Sequence, residues 1–155
     1  MRAAGALELV YAIEGDTRRV RLPKPTVPRQ VDGLWRHTCF EAFIAADREA
    51  PVGEYVEFNL SPSGEWAAYV FDGYRSGMRP LEGMAAPLIA LERDASGARW
   101  SVRAELDVGP LAIAGARLAL AAVIEDTAGR LAYWALRHPS DRPDFHHPGG
   151  FAATL

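Results

Sequence analysis

The stretch from Tyr55 to Phe71 constrains the fold of this chain more than any other. Two runs, Tyr55 to Leu60 and Glu65 to Phe71, flank Ser61-Pro62-Ser63-Gly64. Alternating residues on both sides of a Ser, Pro and Gly segment predict an antiparallel β-hairpin. Pro presets the turn backbone, and Gly accepts the left-handed conformation that a tight return needs. If Leu60 pairs with Glu65, Asn59 falls opposite Trp66 and Glu57 opposite Ala68. Tyr55, Glu57, Asn59 and Trp66 then share one face, and Val56, Phe58, Leu60, Tyr69 and Phe71 share the other, which reads as core.

The same punctuation recurs along the chain. Leu7, Leu9, Tyr11 and Ile13 lie on one face of a first strand, with Glu8 and Glu14 on the other. A short strand around Arg19 to Leu22 follows the Gly15-Asp16 turn. Pro23, Pro25 and Pro28 make Pro23 to Gly33 an extended surface connection. A strand is predicted over Trp35 to Ala46, with Phe40, Ala42 and Ile44 facing one way and Cys39, Glu41 and Phe43 the other. A loop surrounds Pro51, and Asp72 to Pro87, punctuated by Gly73, Gly77, Pro80 and Gly83, is a long loop. Further strands are expected at Leu88 to Glu92, Arg99 to Leu106, Arg117 to Glu125 and Leu131 to Leu136. Within Arg117 to Glu125 the run LALAAVI has helical propensity. The Asp126 to Gly129 turn leads it into another strand-like run, which favours strand.

Helical periodicity is scarce and no internal repeat is visible. The pattern predicts an all-β fold, an antiparallel β-sandwich of two sheets, with residues 1–155 forming one domain. A chain of 155 residues, 49% of them apolar, can bury about two-thirds of its unfolded surface without disulfides. Cys39 is the single cysteine. Seventeen basic and 20 acidic residues give a net charge of −3, and the arginines are scattered, so nucleic acid is not an expected partner. No apolar run approaches the roughly 20 residues that span a bilayer, and Glu8 interrupts the apolar start. These features predict no membrane partner and a cytoplasmic location.

Rings and hydrogen-bonding groups that share a sheet face suit a small ligand. The C–H faces of a sugar stack on an aromatic ring, while its hydroxyls need fixed donors and acceptors. Trp35, Trp66 and Trp134 are candidate platforms, set against the more frequent role of a Trp as core. Tyr55, Glu57 and Asn59 are candidate polar contacts, or groups that face water. Glu41 sits in the apolar run CFEAFIAA; once buried it needs a donor, which Arg36, His37 or Arg75 could supply. A structural ion pair is an equal reading of that arrangement.

The tail HPSDRPDFHHPGGF gathers His138, His146 and His147 near Asp141 and Asp144. In an extended segment Asp144 and His146 point the same way, a conceivable metal edge, but a closed site needs further ligands and none is predicted. Haem would need axial His and Met ligands around an apolar slot, for which His146, Met78 and Met84 are the available residues.

Taken in order, LWRHTCFEAFI, EYVEFNLSPSGEWAAYVFDGYR and YWALRHPSDRPDFHHPGGFAATL resemble the DOMON-like domains related to family 9 carbohydrate-binding modules. The resemblance covers about half of the chain. It implies two antiparallel sheets with a ligand site on or at the rim of one sheet, for sugars in some members and haem in others, and it includes bacterial cytoplasmic members without an established ligand. It carries Glu41, the Tyr55-x-Glu57-x-Asn59 strand and Asp144 to His146 into that site. At His37-Thr38, where many carbohydrate-binding relatives have acidic residues, the chain departs, so the resemblance extends neither to calcium nor to the exact sugar position.

The leading expectation is a non-catalytic module that binds a carbohydrate or sugar-like metabolite, with no cofactor. Its candidate site comprises Trp35, Arg36, Glu41, Tyr55, Glu57, Asn59, Trp66, Arg75, Trp134 and His146. Haem or metal binding is the alternative. An enzyme using Glu41 and Glu57 on a glycosidic bond ranks below both, since no nucleophile elbow, phosphate loop or metalloprotease motif is present. An exposed aromatic patch could also meet a protein.

Overall fold

The computed structural model describes residues 5–46, 53–111 and 113–155. Ten strands follow one another: β1 (Ala6–Glu14), β2 (Cys39–Ala45), β3 (Tyr55–Leu60), β4 (Trp66–Phe71), β5 (Arg79–Pro80), β6 (Leu88–Arg93), β7 (Arg99–Asp107), β8 (Arg117–Glu125), β9 (Leu131–Ala135) and β10 (Ala153–Thr154). All pairs are antiparallel. They form a three-stranded sheet ordered β1-β7-β6 and a seven-stranded sheet ordered β10-β8-β2-β3-β4-β5, with β9 also on β8. The expected all-β class and two-sheet architecture are therefore observed. Among the described residues the only helical pieces are single 3-10 turns, and no helix is long and apolar enough to cross a membrane.

The two sheets meet through the residues whose alternation marks them as apolar. Phe40, Ala42 and Ile44 from β2, Phe58 and Leu60 from β3 and Leu118 from β8 pack against Leu9 from β1 and Trp100, Val102, Ala104 and Leu106 from β7. Tyr11 reaches across, its ring 4.9 Å from that of Phe40 and its hydroxyl donating to the Glu41 carbonyl at 2.8 Å. Each fully buried Phe or Leu here contributes about 1.5–3 kcal/mol. The Ala-rich β8 is strand because both its edges are paired, an arrangement that tertiary structure imposes over propensity.

Several local expectations are corrected. Arg19 to Leu22 is no strand: Thr17–Arg19 is a 3-10 turn and only Val20 bridges to Asp126. Trp35 does not open β2; Leu34–Arg36 coils into a 3-10 turn behind Gly33, and the strand begins at Cys39. The predicted long loop contains the short edge strand β5, at the sheet margin where a Pro is tolerated. The loop around Pro51 lies outside the described residues.

The hairpin register is one residue away from the expected pairing. Leu60 pairs with Trp66, Asn59 with Ala67, Phe58 with Ala68 and Glu57 with Tyr69. The Ser61 N–H donates to the Glu65 carbonyl, and the Gly64 N–H closes a β-turn on the Ser61 carbonyl. The loop is thus the three residues Pro62, Ser63 and Gly64, with Pro62 at the second turn position and Gly64 at φ 93°. Ser61 turns inward and accepts from the Ser63 N–H and hydroxyl, which commits it to the ladder rather than to the loop. This shift turns Trp66 into the inter-sheet core, and brings Tyr69 and Phe71 onto the outer face beside Tyr55.

Candidate functional site

The outer face of the seven-stranded sheet is not left to water. Alternation places Glu41 and Phe43 of β2, Tyr55, Glu57 and Asn59 of β3, Ala67, Tyr69 and Phe71 of β4, and Ala119, Ala121 and Val123 of β8 on this face. Two segments cross it. The turn Leu34–Arg36 is pinned by the Tyr69 hydroxyl, which donates to Asp32 at 2.7 Å, and its Trp35 ring stands edge-on 6.1 Å from Tyr69. The tail brings Phe145, His146 and Phe151 over the sheet, where His146 packs at 5.1 Å against both Phe43 and Phe71. Ala121, opposite Glu41 in the ladder, supplies too little side chain to fill the floor, and a cavity of about 620 Å³ opens between these coverings. Trp35, Phe71, Met78, Val123, Tyr133 and Phe145 form most of its walls; Glu41, Glu57, Arg75 and His146 are its polar lining.

The polar groups divide into a clamped set and an unclamped one. Asp144 accepts from the Arg75 guanidinium at 2.7 Å and from the Tyr74 hydroxyl. Burial works against ionisation of Asp144, but these hydrogen bonds outweigh it and hold its carboxyl below the usual range. Arg75 takes a left-handed backbone, φ 51°, unusual for a residue with a Cβ, and this directs its N–H at the Tyr55 hydroxyl, 3.3 Å away. Tyr55 in turn lies 2.8 Å from Nδ1 of His146. The hydroxyl already accepts one hydrogen bond, and Nδ1 is the acceptor available to its proton, so the neutral imidazole carries its own proton on Nε2. That atom faces Glu57 Oε2 at 3.8 Å. Burial, then the Arg75 charge, pushes His146 down to about 4, with Asp144 opposing. Burial pushes Tyr55 up to about 12.

Glu41 and Glu57 are the unclamped groups. They are 3% and 4% exposed, and they occupy diagonal positions on neighbouring strands, since Glu41 pairs with Asn59 and Glu57 with Phe43. Burial, and then the neighbouring Glu57, raises Glu41 well above the carboxylate range. Burial raises Glu57 to about 7, with Asn59 and Arg75 moderating the effect. None of the three expected donors serves Glu41: Arg36 is exposed and lies against Gly33, His37 Nδ1 lies 2.8 Å from Glu125, and the Arg75 guanidinium is held by Asp144. Among the described residues the Glu41 carboxyl has no hydrogen-bond or ion-pair partner. Asn59, fully buried opposite Glu41, has neither end of its amide in an aligned hydrogen bond, although it lies near enough to Glu57 to favour the ionised carboxylate.

Of the residues singled out from sequence, Trp35, Glu41, Glu57, Arg75 and His146 line one cavity, with Tyr55 and Asn59 in the layer that supports it. Three lie elsewhere. Trp66 is inter-sheet core, its Nε1 unpartnered. Trp134 is 66% exposed and flanks a separate apolar cleft beside Val10 and Leu136. Arg36 is exposed and turns back on Gly33. Tyr133, Phe145 and Phe71 were not anticipated as wall residues. For Tyr133 a signal existed: the Asp126 to Gly129 turn sets Glu125 opposite Leu131, which puts Tyr133 opposite Val123 and on the face of Glu41.

The donor set does not fit a haem. An axial histidine donates through its second ring nitrogen and offers a bare nitrogen to the iron. In His146 both ring nitrogens are engaged within the chain, Nδ1 at 2.8 Å from the Tyr55 hydroxyl and Nε2 at 3.8 Å from the buried Glu57 carboxyl, which leaves neither to face an iron. Among the described residues no three His, Cys, Asp or Glu side chains gather as metal ligands would. Comparison of the chain with protein-family models, with curated proteins and with solved structures finds no match.

Proposed function

We propose that this domain binds a carbohydrate or sugar-like metabolite in the cavity over the outer face of its seven-stranded sheet and leaves it chemically unchanged. The observation that carries this reading is the meeting of rings and unclamped hydrogen-bonding groups. Trp35, Tyr133 and Phe145 supply apolar walls, and Glu41 and Glu57 line the same space. A sugar presents C–H faces to the first set and hydroxyls to the second. Carboxyls that keep a proton near neutral pH offer both a donor and an acceptor, which suits hydroxyl partners. The volume of about 620 Å³ falls within the roughly 300–1,000 Å³ of small-molecule sites.

Isothermal titration with neutral, N-acetylated and amino monosaccharides and with disaccharides tests this. Saturable heat from one or more of them, weakened at least about tenfold, or about 1.4 kcal/mol, in Tyr133→Ala, is the expected result. Absence of heat across the whole panel overturns the reading.

One observation favours a second reading, a glycoside-processing enzyme. Glu57 is held near 7 by burial, beside a second buried carboxyl, as a general acid would be. Release of chromophore from an aryl-glycoside panel, lost in Glu57→Gln, would establish it; no release from any member excludes it for those substrates.

A further inference from the structure

We propose that the ligand carries an amine, and that its ammonium group sits against Glu41 and Glu57. This rests on the carbohydrate reading of the cavity and narrows it to amino sugars.

The carboxyl pair is short of positive charge. Two carboxyls are taken out of water on adjacent strands, a placement that is costly unless a cation or several hydrogen bonds compensate it. The titratable and charged groups within electrostatic reach of the pair are Cys39 on β2, Tyr55 on β3, Tyr69 on β4, Tyr11 from the opposite sheet, Arg75 and His146. Arg75 is the only permanent cation among these, and Asp144 already neutralises it at 2.7 Å. His146 is uncharged above about 4. Among the described residues the pair therefore has one permanent cation within reach, Arg75, whose charge is shared with Asp144, and the acids meet the remaining deficit by keeping protons.

Asn59 points to a ligand independently. It is fully buried opposite Glu41, and neither end of its amide makes an aligned hydrogen bond, although it lies close to the Glu57 carboxyl. A buried amide left poorly matched is costly, and a ligand that draws the two carboxylates into fixed positions over it would recover part of that cost. The walls suit a cation as well: Trp35 and Tyr133 present aromatic rings, whose faces attract ammonium groups.

Charge balance gives the proposal a distinct signature. An ammonium ligand that meets a protonated Glu57 forms an ammonium–carboxylate pair and releases that proton to the solvent, so the release per ligand rises toward one as the pH falls below about 7. A neutral sugar releases none.

The test uses the full chain near neutral pH, in buffers of different ionisation enthalpy, with glucosamine, N-acetylglucosamine, glucose and cyclohexylamine as probes. The expected result is glucosamine binding at least about tenfold tighter than the two neutral sugars, with heat that varies with the buffer in the sense of proton release. Glucose binding as tightly as glucosamine overturns the amine and leaves the carbohydrate reading standing. Cyclohexylamine matching glucosamine while neither neutral sugar binds keeps the ammonium site and overturns the carbohydrate reading. No heat from any probe overturns both. Glu57→Gln, which keeps the shape of the side chain, should erase the preference for glucosamine over N-acetylglucosamine and abolish the proton release.

Discussion

The Tyr55 hydroxyl stands between the Arg75 N–H, from which it accepts at 3.3 Å, and Nδ1 of His146, to which it donates at 2.8 Å. One phenol thus ties a strand of the sheet to the loop after β4 and to the C-terminal tail. It also fixes which imidazole nitrogen faces the buried acids.

Tyr55→Phe removes this tie without emptying the space. The Arg75 N–H loses its acceptor and His146 loses its donor, so stability should drop by about 1–3 kcal/mol in urea unfolding. Nitrogen NMR should show His146 protonated on Nε2 in the parent and a mixture of tautomers in the variant. A parent protonated on Nδ1 would refute the assignment.

The buried acids and His146 act on stability in opposite directions as pH changes. Glu57 moves from 4.5 to about 7 on folding, so the native state holds the extra proton, and stability is lost as pH rises across that window. Glu41, also raised, adds to the same trend. His146 moves from 6.5 to about 4, so the unfolded chain holds the extra proton, and stability is gained as pH rises from about 4 to 6.5. Each group contributes a slope of up to about 1.4 kcal/mol per pH unit. Between pH 5 and 6.5, urea unfolding of His146→Gln should therefore weaken with pH more steeply than the parent, and that of Glu57→Gln less steeply. Parallel profiles for all three proteins would show that neither group titrates as the buried geometry requires.

Trp66 and Tyr133 should behave as opposites. Trp66 packs between the sheets, so Trp66→Ala should cost about 3–5 kcal/mol, whereas Tyr133, 43% exposed on the cavity wall, should cost under about 1 kcal/mol when truncated. Denaturant melts of the two variants read this directly. A Trp66→Ala protein as stable as the parent would contradict the observed register.

That register is not legible in the sequence, whereas other features are. The bounds Arg117 to Glu125 and Tyr55 to Leu60 were legible because alternation and turn residues agree on them. The class followed from many such segments at once. Whether Ser61 belongs to the ladder or to the loop depends on a side-chain hydrogen bond to Ser63, and one residue of difference exchanges Trp66 for Tyr69 on the outer face. Trp35 reaches the cavity from a 3-10 turn beside the Asp32–Tyr69 hydrogen bond and not from the strand that alternation predicts there. Glu41 was conspicuous because a carboxylate interrupts an apolar run. Its lack of a cation could be seen only once Arg75 was found with Asp144 and His37 with Glu125.

The Arg75–Asp144 pair makes its own prediction, because it holds the tail over the cavity. Asp144 accepts from Tyr74 and Arg75, and one turn later the His147 N–H donates to the Asp144 carbonyl, the Gly149 N–H to His147 Nδ1 and the Gly150 N–H to the His147 carbonyl. Arg75 is half exposed, so water screens the pair and its loss should lower global stability by less than about 1 kcal/mol. Locally the effect should be larger, since the tail's short hydrogen-bonded turn begins at Asp144, whose carboxylate this pair holds. Arg75→Met should accelerate amide exchange at His147, Gly149 and Gly150 while leaving the β7 amides of Val102 and Ala104, paired on both sides, unchanged. Arg29→Met, which removes a comparable surface pair with Glu65, should leave the tail at its parental rate. Equal exchange at the three tail amides in the parent and Arg75→Met would mean that the hydrophobic seating of Phe145 and Phe151 holds the tail unaided.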